Sequence, residues 1–392
     1  MTVGIIGAGA SGMIAALKLS EKNDVVLLEK NDKVGKKILV TGNGKCNLWN
    51  TNLFLDDIDY SQYYYTDNYD VLENIFTSRH DTYDYLTNEL GIYTRIKDQY
   101  VYPYSNTSQS VRELLERKIL NNKNIDLVTN FNVTRIENSK NKVLVYNNDE
   151  YYEFDKLIIA TGLLSSNLGT NSLCELLGGE VRINEMHPAL VPVKLDFPLC
   201  KEWDGVRVEA KITYYDDEYI RTEVGELQLT DYGISGIPVF NFSSNISKHD
   251  YPSISIDFIP DKTIDELKMD LISYEGTIES ALETVFNYKL LFTLLKFSNI
   301  KKDTLVSAID VDELIHNIKE LKASIIGTLD YDRSQVTTGG VSLDEVNEDL
   351  SLRKLPNIYV IGEALDIDGI CGGYNLANAF ITGYIVGSSL ND

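Results

Sequence analysis

The sequence predicts an α/β fold of Rossmann-like type, and three observations carry the prediction. Residues Val3 to Leu19 read as strand, glycine turn and helix. The C-terminal region returns to alternating strand and glycine signals. Between the two, after His187-Pro188-Ala189-Leu190-Val191-Pro192, the pattern shifts to short strands and then to helical periodicity. At 392 residues the chain exceeds the roughly 250–300 at which single cores stop growing, so two or three domains are expected.

The first element is the most informative. Val3, Ile5 and Ile6 form an uncharged apolar run, Gly7, Gly9 and Gly12 follow as G-x-G-x-x-G, and Ala10, Ile14 and Leu17 recur at helical spacing. In that context Gly7 allows a tight turn. Gly9 lets backbone approach a pyrophosphate, and Gly12 lets helix and strand pack closely. The helix N-terminus offers free N–H groups and a positive dipole end to phosphates. Val25 to Leu28 is a second apolar run. It ends in Glu29, which lies 17 residues past Gly12, near the spacing of about 20 for the acid that binds a ribose 2′-OH. A nucleotide with a free ribose hydroxyl is expected, FAD or NAD rather than NADP.

Lys30 to Asn47 contain five lysines and three glycines, a composition that predicts a loop rather than a packed helix or strand. Following the ribose-binding strand directly, it is expected to fold back over a cofactor. Eleven tyrosines lie between Tyr60 and Tyr104, either as an aromatic substrate wall or as partly buried packing. Val111, Leu114, Leu115 and Ile119 mark an amphipathic helix. Ile125 to Val128 read as a strand that Val133 and Ile136 continue. A hairpin turning at Asn147-Asn148 leads to the apolar run Leu157 to Ala160, which halts at Thr161-Gly162, where backbone can meet a ligand.

Short strands are then read at Val206 to Tyr215, Gly225 to Leu229 and Ile254 to Phe258, and helices across 262–320. Val336 to Val341 and Asn357 to Ile361 return to strands. The latter ends in Gly362-Glu363, and Gly372-Gly373 opens a final helix whose N-terminus suits an anion or carbonyl oxygen, or serves as a packing joint.

The net charge of −23 argues against nucleic-acid and anionic-membrane partners, because phosphate binding needs clustered Lys and Arg. Cys46, Cys174, Cys200 and Cys371 are too scattered for a zinc site or a disulfide framework, so no metal is expected and a reducing cytoplasm is. The first strand leaves no room for a signal peptide, and no stretch approaches the roughly 18 apolar residues of a membrane span.

Together these segments resemble the HI0933/YhiN-type flavoproteins, a branch of the two-dinucleotide-binding-domain FAD oxidoreductases. The motifs are the N-terminal fingerprint, GKKILVTGNGKCN, ATG, HPALVP, TDYGISG, VTTGGV and IGEALDIDGICGGYN. The resemblance implies an FAD domain built from both chain ends, with an inserted β-rich domain and helical subdomain. The expected boundaries are 1–188 and 334–392 for the FAD domain, 189–261 and 321–333 for the β-rich domain, and 262–320 for the helical subdomain. Gly7, Gly9, Ser11 and Gly12 would hold the pyrophosphate, and Glu29 the adenosine ribose. Lys37, Gly42, Asn43, Gly44 and Asn47 would lie along the FAD toward the flavin, with backbone of Val133 on adenine. Gly362 and Glu363 would bind phosphate and ribityl groups. Gly373, Asn375 and Leu376 would bring a helix N-terminus to the flavin pyrimidine edge, favouring negative charge on the reduced ring. Ala8, Lys30, Thr161, Gly162 and Asp366 are the remaining expected cofactor contacts. The sequence departs from the family pattern at Leu163, Ile237 and Ala377.

The implied activity is that of an FAD-dependent oxidoreductase acting on a small or medium apolar molecule, with NAD(P)H as a transient donor and an enone C=C bond as one target. An amine or aminoketone oxidase, a non-catalytic flavin-binding redox sensor and a tRNA-modifying flavoprotein are the alternatives. No catalytic acid or base is assigned. Cys46, Cys371, His187 and Tyr374 are each read as a candidate redox or proton-transfer group or as a packing residue.

Overall fold

The computed structural model describes residues 1–139, 141–148, 150–162, 176–217, 220–246 and 252–391. Leu163 and Cys174 lie outside the described residues. The chain divides into two units, Met1–His187 with Val336–Asp392, and Pro188–Gln335.

The first unit is built on a five-stranded parallel sheet. Its strands are β1 (Thr2–Ile6), β2 (Asp24–Leu28), β3 (Ile125–Val128), β4 (Lys156–Ile159) and β5 (Ile358–Val360), in spatial order β5-β4-β1-β2-β3. Ile5 pairs with Ile158 on one side and Leu27 on the other. Both faces of the central strands are buried, which explains their unbroken apolar runs. Gly4 interrupts β1 because the Phe154 ring lies over it. A Cβ there would sit 2.4 Å from that ring.

Helix Ala10–Leu19 packs on helix Tyr374–Ser389, so the two ends of the chain form one core. Glycines make the approach possible. A Cβ at Gly383 would come within 2.5 Å of the Ser11 carbonyl, and one at Gly387 within 2.5 Å of the Lys18 Cβ. Asn391 then donates to the Lys18 carbonyl at 2.7 Å and accepts from Asn23 at 2.9 Å. Strand Ile183–Ala189, whose first five residues belong to this unit, pairs with Val336–Val341.

Two local expectations are corrected. Lys36–Val40 form a short helix rather than loop. Left-handed Gly35 starts it, and Val34 and Ile38 are buried, so two apolar anchors outweigh the surrounding lysines. Val133 and Ile136 do not continue β3. The chain turns at left-handed Asn130 and begins a separate antiparallel sheet of Arg135–Asn138, Val143–Asn147 and Glu150–Phe154. Asn tolerates that conformation better than most residues.

The second unit contains a closed six-stranded barrel. Around it run Val193–Asp196, Gly233–Ser235, Ile220–Thr230, Arg207–Tyr215, Ser253–Asp257 and Leu321–Thr328. Helices Ile264–Ile272, Ile278–Leu282, Tyr288–Phe297 and Asp312–Lys319 lie between its last two strands in sequence, and share one hydrophobic core with it. Trp203 is fully buried, stacks on Phe197 at 4.6 Å and donates to the Thr230 carbonyl. A buried ion pair, Lys319 to Asp257 at 2.8 Å, ties the last helix to a barrel strand. Lys319 also donates to the carbonyls of Ile259 and Lys262. Ile237 is exposed at the first position of helix Ile237–Ser243.

Removing one partner of a buried pair strands the other charge. Lys319→Met is therefore expected to lower stability by about 3–5 kcal/mol. Lys296→Ala, which breaks an exposed pair with Glu202, should cost about 1 kcal/mol or less. Urea unfolding of the two variants checks the contrast, and equal losses would remove the role given to the Lys319–Asp257 pair.

Candidate functional site

The carboxyl edge of the parallel sheet gathers most of the residues expected to face a cofactor. Gly7 to Gly12 follow β1, Glu29 and Lys30 follow β2, Thr161 and Gly162 follow β4, and Gly362 and Glu363 follow β5. Open α/β sheets bind ligands at this edge, where the chain connections diverge to either side.

The three fingerprint glycines have different surroundings. Gly7 has φ +103, and a Cβ on it would lie 2.4 Å from the Ala160 carbonyl. A Cβ on Gly12 would lie 2.0 Å from the Gly7 carbonyl, so Gly12 closes helix onto turn. Gly9 differs from both, because a Cβ there would meet nothing within 4 Å. It caps helix Ala10–Leu19 with no side chain over its N–H groups. None of the described residues fills that space, and an oxygen-rich phosphate suits the exposed helix end.

Glu29 is 7% exposed. One carboxylate oxygen accepts from the Ala8 N–H at 2.9 Å, and the other from the Asn31 N–H and side-chain amide at 2.9 and 2.6 Å. A carboxylate has about four acceptor sites, so these donors leave room for a hydroxyl. Phe131 N–H donates to the Glu29 carbonyl, which brings the segment holding Val133 beside it. Lys30 is half-buried, and burial pushes its ammonium pKa down.

Across the edge, Lys37 Nζ lies 2.6 Å from Glu363 Oε2. Glu363 Oε1 accepts from the Thr337 N–H at 3.1 Å. A Cβ on Gly162 would be 3.4 Å from the same carboxylate and 3.8 Å from Lys37 Nζ, while one on Gly362 would strike Ser11 Oγ at 2.5 Å. Lys37, Gly162, Gly362, Glu363 and Ser11 thus converge. Two residues absent from the sequence-based set belong here. Thr337 places a buried hydroxyl, without a hydrogen-bond partner among the described residues, beside Glu363, and the Thr382 hydroxyl accepts the Gly362 N–H at 2.9 Å. The Thr-Thr-Gly-Gly run was the available signal for Thr337. Nothing in the sequence near Thr382 marks it.

A second group surrounds the start of the last helix. Gly373 has φ +98, and a Cβ there would be 2.5 Å from the Trp49 carbonyl and 3.0 Å from Asn47 Oδ1. That Asn47 oxygen is buried and has no hydrogen-bond partner among the described residues. Gly42, Asn43 and Gly44 are successive left-handed residues that bring Gly42 against Asn47. The Asn375 amide is occupied, donating to the Gly369 carbonyl and accepting its N–H at 2.6 and 2.8 Å. These two bonds fix the orientation of the Asn375 side chain at the start of the helix. Asp366 is buried, and one of its oxygens accepts from the Asn184 amide at 2.7 Å. Ala377 is fully buried inside the helix.

Of the redox and proton-transfer candidates, Tyr374 and Cys46 are buried, whereas His187 and Cys371 are partly exposed. Tyr374 is 2% exposed, stacks on Tyr63 at 5.0 Å and accepts from the Asn52 amide, and burial pushes its phenol well above the usual range. The other tyrosines divide, with Tyr60, Tyr64 and Tyr85 buried and Tyr93 and Tyr104 exposed. Cys46 is fully buried, and burial pushes its thiol up to about 12. His187 Nε2 stands 3.8 Å from Glu185.

The unfilled space at Gly9, the uncapped helix and the unpartnered polar atoms of Asn47 and Thr337 fit FAD as the resemblance implies it. Comparison with known proteins adds the following. The family model for the HI0933-like protein Rossmann domain matches residues 1–389. The chain is 32% identical to the 3-dehydro-bile acid delta(4,6)-reductase of Clostridium scindens, over 98% of each chain. It is 26% identical to the ribosomal RNA dihydrouridine synthase of Escherichia coli, over 98% of this chain and 97% of that one. Among solved structures, the 3-ketosteroid delta1-dehydrogenase of Sterolibacterium denitrificans superposes with a TM-score of 0.50 at 11% identity. That match covers 100% of this chain and 99% of the other, and the likeness is one of fold.

Gly9→Val is expected to fold like the parent, because its side chain enters open space, yet to weaken FAD binding at least 100-fold. Melting of the FAD-free protein and FAD titration separate the two effects, and stoichiometric FAD in the purified variant would refute the placement. Cys46 is expected to stay unlabelled by iodoacetamide at pH 8 in the folded protein, since a thiol titrating at about 12 holds almost no thiolate there. Peptide mapping before and after urea denaturation reads this directly.

Proposed function

Because the chain belongs to the HI0933-like protein family, we propose that this FAD-dependent oxidoreductase reduces a carbon–carbon double bond conjugated to a carbonyl in a small or medium apolar molecule. The observation that carries the reading is the full-length likeness to two proteins whose names share one reaction type. A delta(4,6)-reductase and a dihydrouridine synthase both saturate a double bond in a ring. The net charge of −23 favours the apolar substrate over RNA, whose phosphates a strongly acidic surface repels. NADH or NADPH supplies the electrons.

Bound FAD supplies the hydride chemistry, and the protein supplies position and electrostatics. Gly7 to Gly12 give the pyrophosphate a helix end and an open turn. Glu29 offers its remaining acceptor capacity to the adenosine ribose, with Val133 beside it. Lys30, Lys37, Thr161, Gly162, Gly362 and Glu363 line the stretch between phosphate and ribityl chain, and Asp366 supports it through Asn184. Asn47, with Gly42, Asn43 and Gly44 behind it, offers a carbonyl oxygen at the start of the last helix. There the backbone N–H groups following Gly373 favour negative charge. Half-buried Tyr63 stacks on buried Tyr374 beside that helix start.

The test is anaerobic. The flavin band of the purified protein is followed as NADH and then NADPH are added, and the reduced protein is offered a 3-keto-4-ene steroid or, separately, ribosomal RNA lacking dihydrouridine. Bleaching by a nicotinamide and recovery with the enone are expected. Recovery with RNA alone would move the function to uridine reduction. A flavin that no nicotinamide bleaches would point to an oxidase or a sensor.

A further inference from the structure

Lys37 and Glu363 are 326 positions apart in sequence, yet their charged ends meet at 2.6 Å. Both are partly open to solvent, with side chains 36% and 21% exposed. The second oxygen of Glu363 is fixed by the Thr337 N–H. Through Gly362, whose Cβ would strike Ser11 Oγ, this carboxylate stands one residue from the first turn of helix Ala10–Leu19. That turn and the space over Gly9 are where a diphosphate fits. A carboxylate facing a diphosphate is repulsive unless a cation stands against it. Lys30, which directly follows Glu29 at the end of β2, is also at this edge. It feels the charges of Glu29 and Lys37, and it makes no ion pair among the described residues.

We infer that Lys37 promotes cofactor binding by neutralising Glu363 rather than by holding phosphate itself, which leaves Lys30 as the phosphate-facing cation. Lys37 is then a positioning residue, required only because Glu363 is present. The inference rests on the FAD site proposed above. Its distinctive consequence is that removing the carboxylate cancels the loss caused by removing the lysine. Glu363→Gln keeps an oxygen for the Thr337 N–H and removes only the charge.

The experiment is titration of the FAD-free protein with FAD, read by quenching of FAD fluorescence, for the parent, K37M, K37R, E363Q, K37M/E363Q, K30M and K30M/E363Q. K37M should weaken binding about 30-fold or more, K37R should stay within about threefold of the parent, and K37M/E363Q should return to within about threefold of E363Q. The loss in K30M should persist in K30M/E363Q, and K30M should show the flatter dependence of binding on salt concentration. A K37M/E363Q protein as weak as K37M would overturn the inference, because Lys37 would then be acting on phosphate directly. So would a lowered melting temperature of FAD-free K37M that accounts for its loss of affinity, because the role would then be structural. Failure of the parent itself to bind FAD would instead overturn the site on which the inference rests.

Discussion

The close approach of Gly12 to the Gly7 carbonyl is the constraint on which the first unit depends. It presses the N-terminal helix onto the end of β1, and this fixes where the helix N–H groups point. The last helix can then lie along the first only because Gly383 and Gly387 carry no side chain. Sheet, first helix and last helix are thus one packing problem, with glycine at each tight contact. A Cβ at Gly12 would disturb the whole arrangement, whereas one at Gly9 would disturb only what binds there.

Electrostatics follow from this geometry. Four adjacent parallel strands deliver the start of helix Ala10–Leu19, Glu29, Lys30 and Glu363 to one edge, where Lys37 joins them. On a chain of net charge −23, such a local gathering of lysine is informative. Glu29 is satisfied mainly by N–H groups of its own surroundings, while Glu363 depends on a cation from a distant segment. Two acids of the same type therefore sit in different electrostatic surroundings, set by what donates to them.

Much of the fold was legible in sequence because it is written in local patterns. The apolar runs of β1, β2, β4 and β5, the glycine turn and the alternation of the barrel strands all lie within a few residues of one another. The helix at Lys36–Val40 was missed because its composition is that of a loop, and only the burial of Val34 and Ile38 against distant residues makes it a helix. The separate sheet beginning at Arg135 was hidden because one left-handed residue, Asn130, redirects the chain while the apolar spacing continues. Within the site, backbone roles could be expected from the glycines. Side-chain pairing could not, since Lys37 finds its partner at Glu363 and Asn184 its partner at Asp366 through folding alone. The Asn375 amide shows the reverse case, a residue type suited to a ligand whose side chain is held by Gly369.

The joining of the two chain ends bears on how the protein is made. Strand β5, the turn at Glu363 and helix Tyr374–Ser389 leave the ribosome after the entire barrel unit, and they complete a sheet edge begun by β4 and a core begun by helix Ala10–Leu19. Until they emerge, the flank of β4 that β5 will cover and the apolar side of helix Ala10–Leu19 remain unprotected, through translation of the entire barrel unit. The barrel unit, contiguous from Pro188 to Gln335, can fold while the first unit still waits. A nascent chain can therefore carry a folded barrel unit while the sheet of the first unit is incomplete, and the carboxyl edge is assembled only once β5 and the turn at Glu363 have emerged.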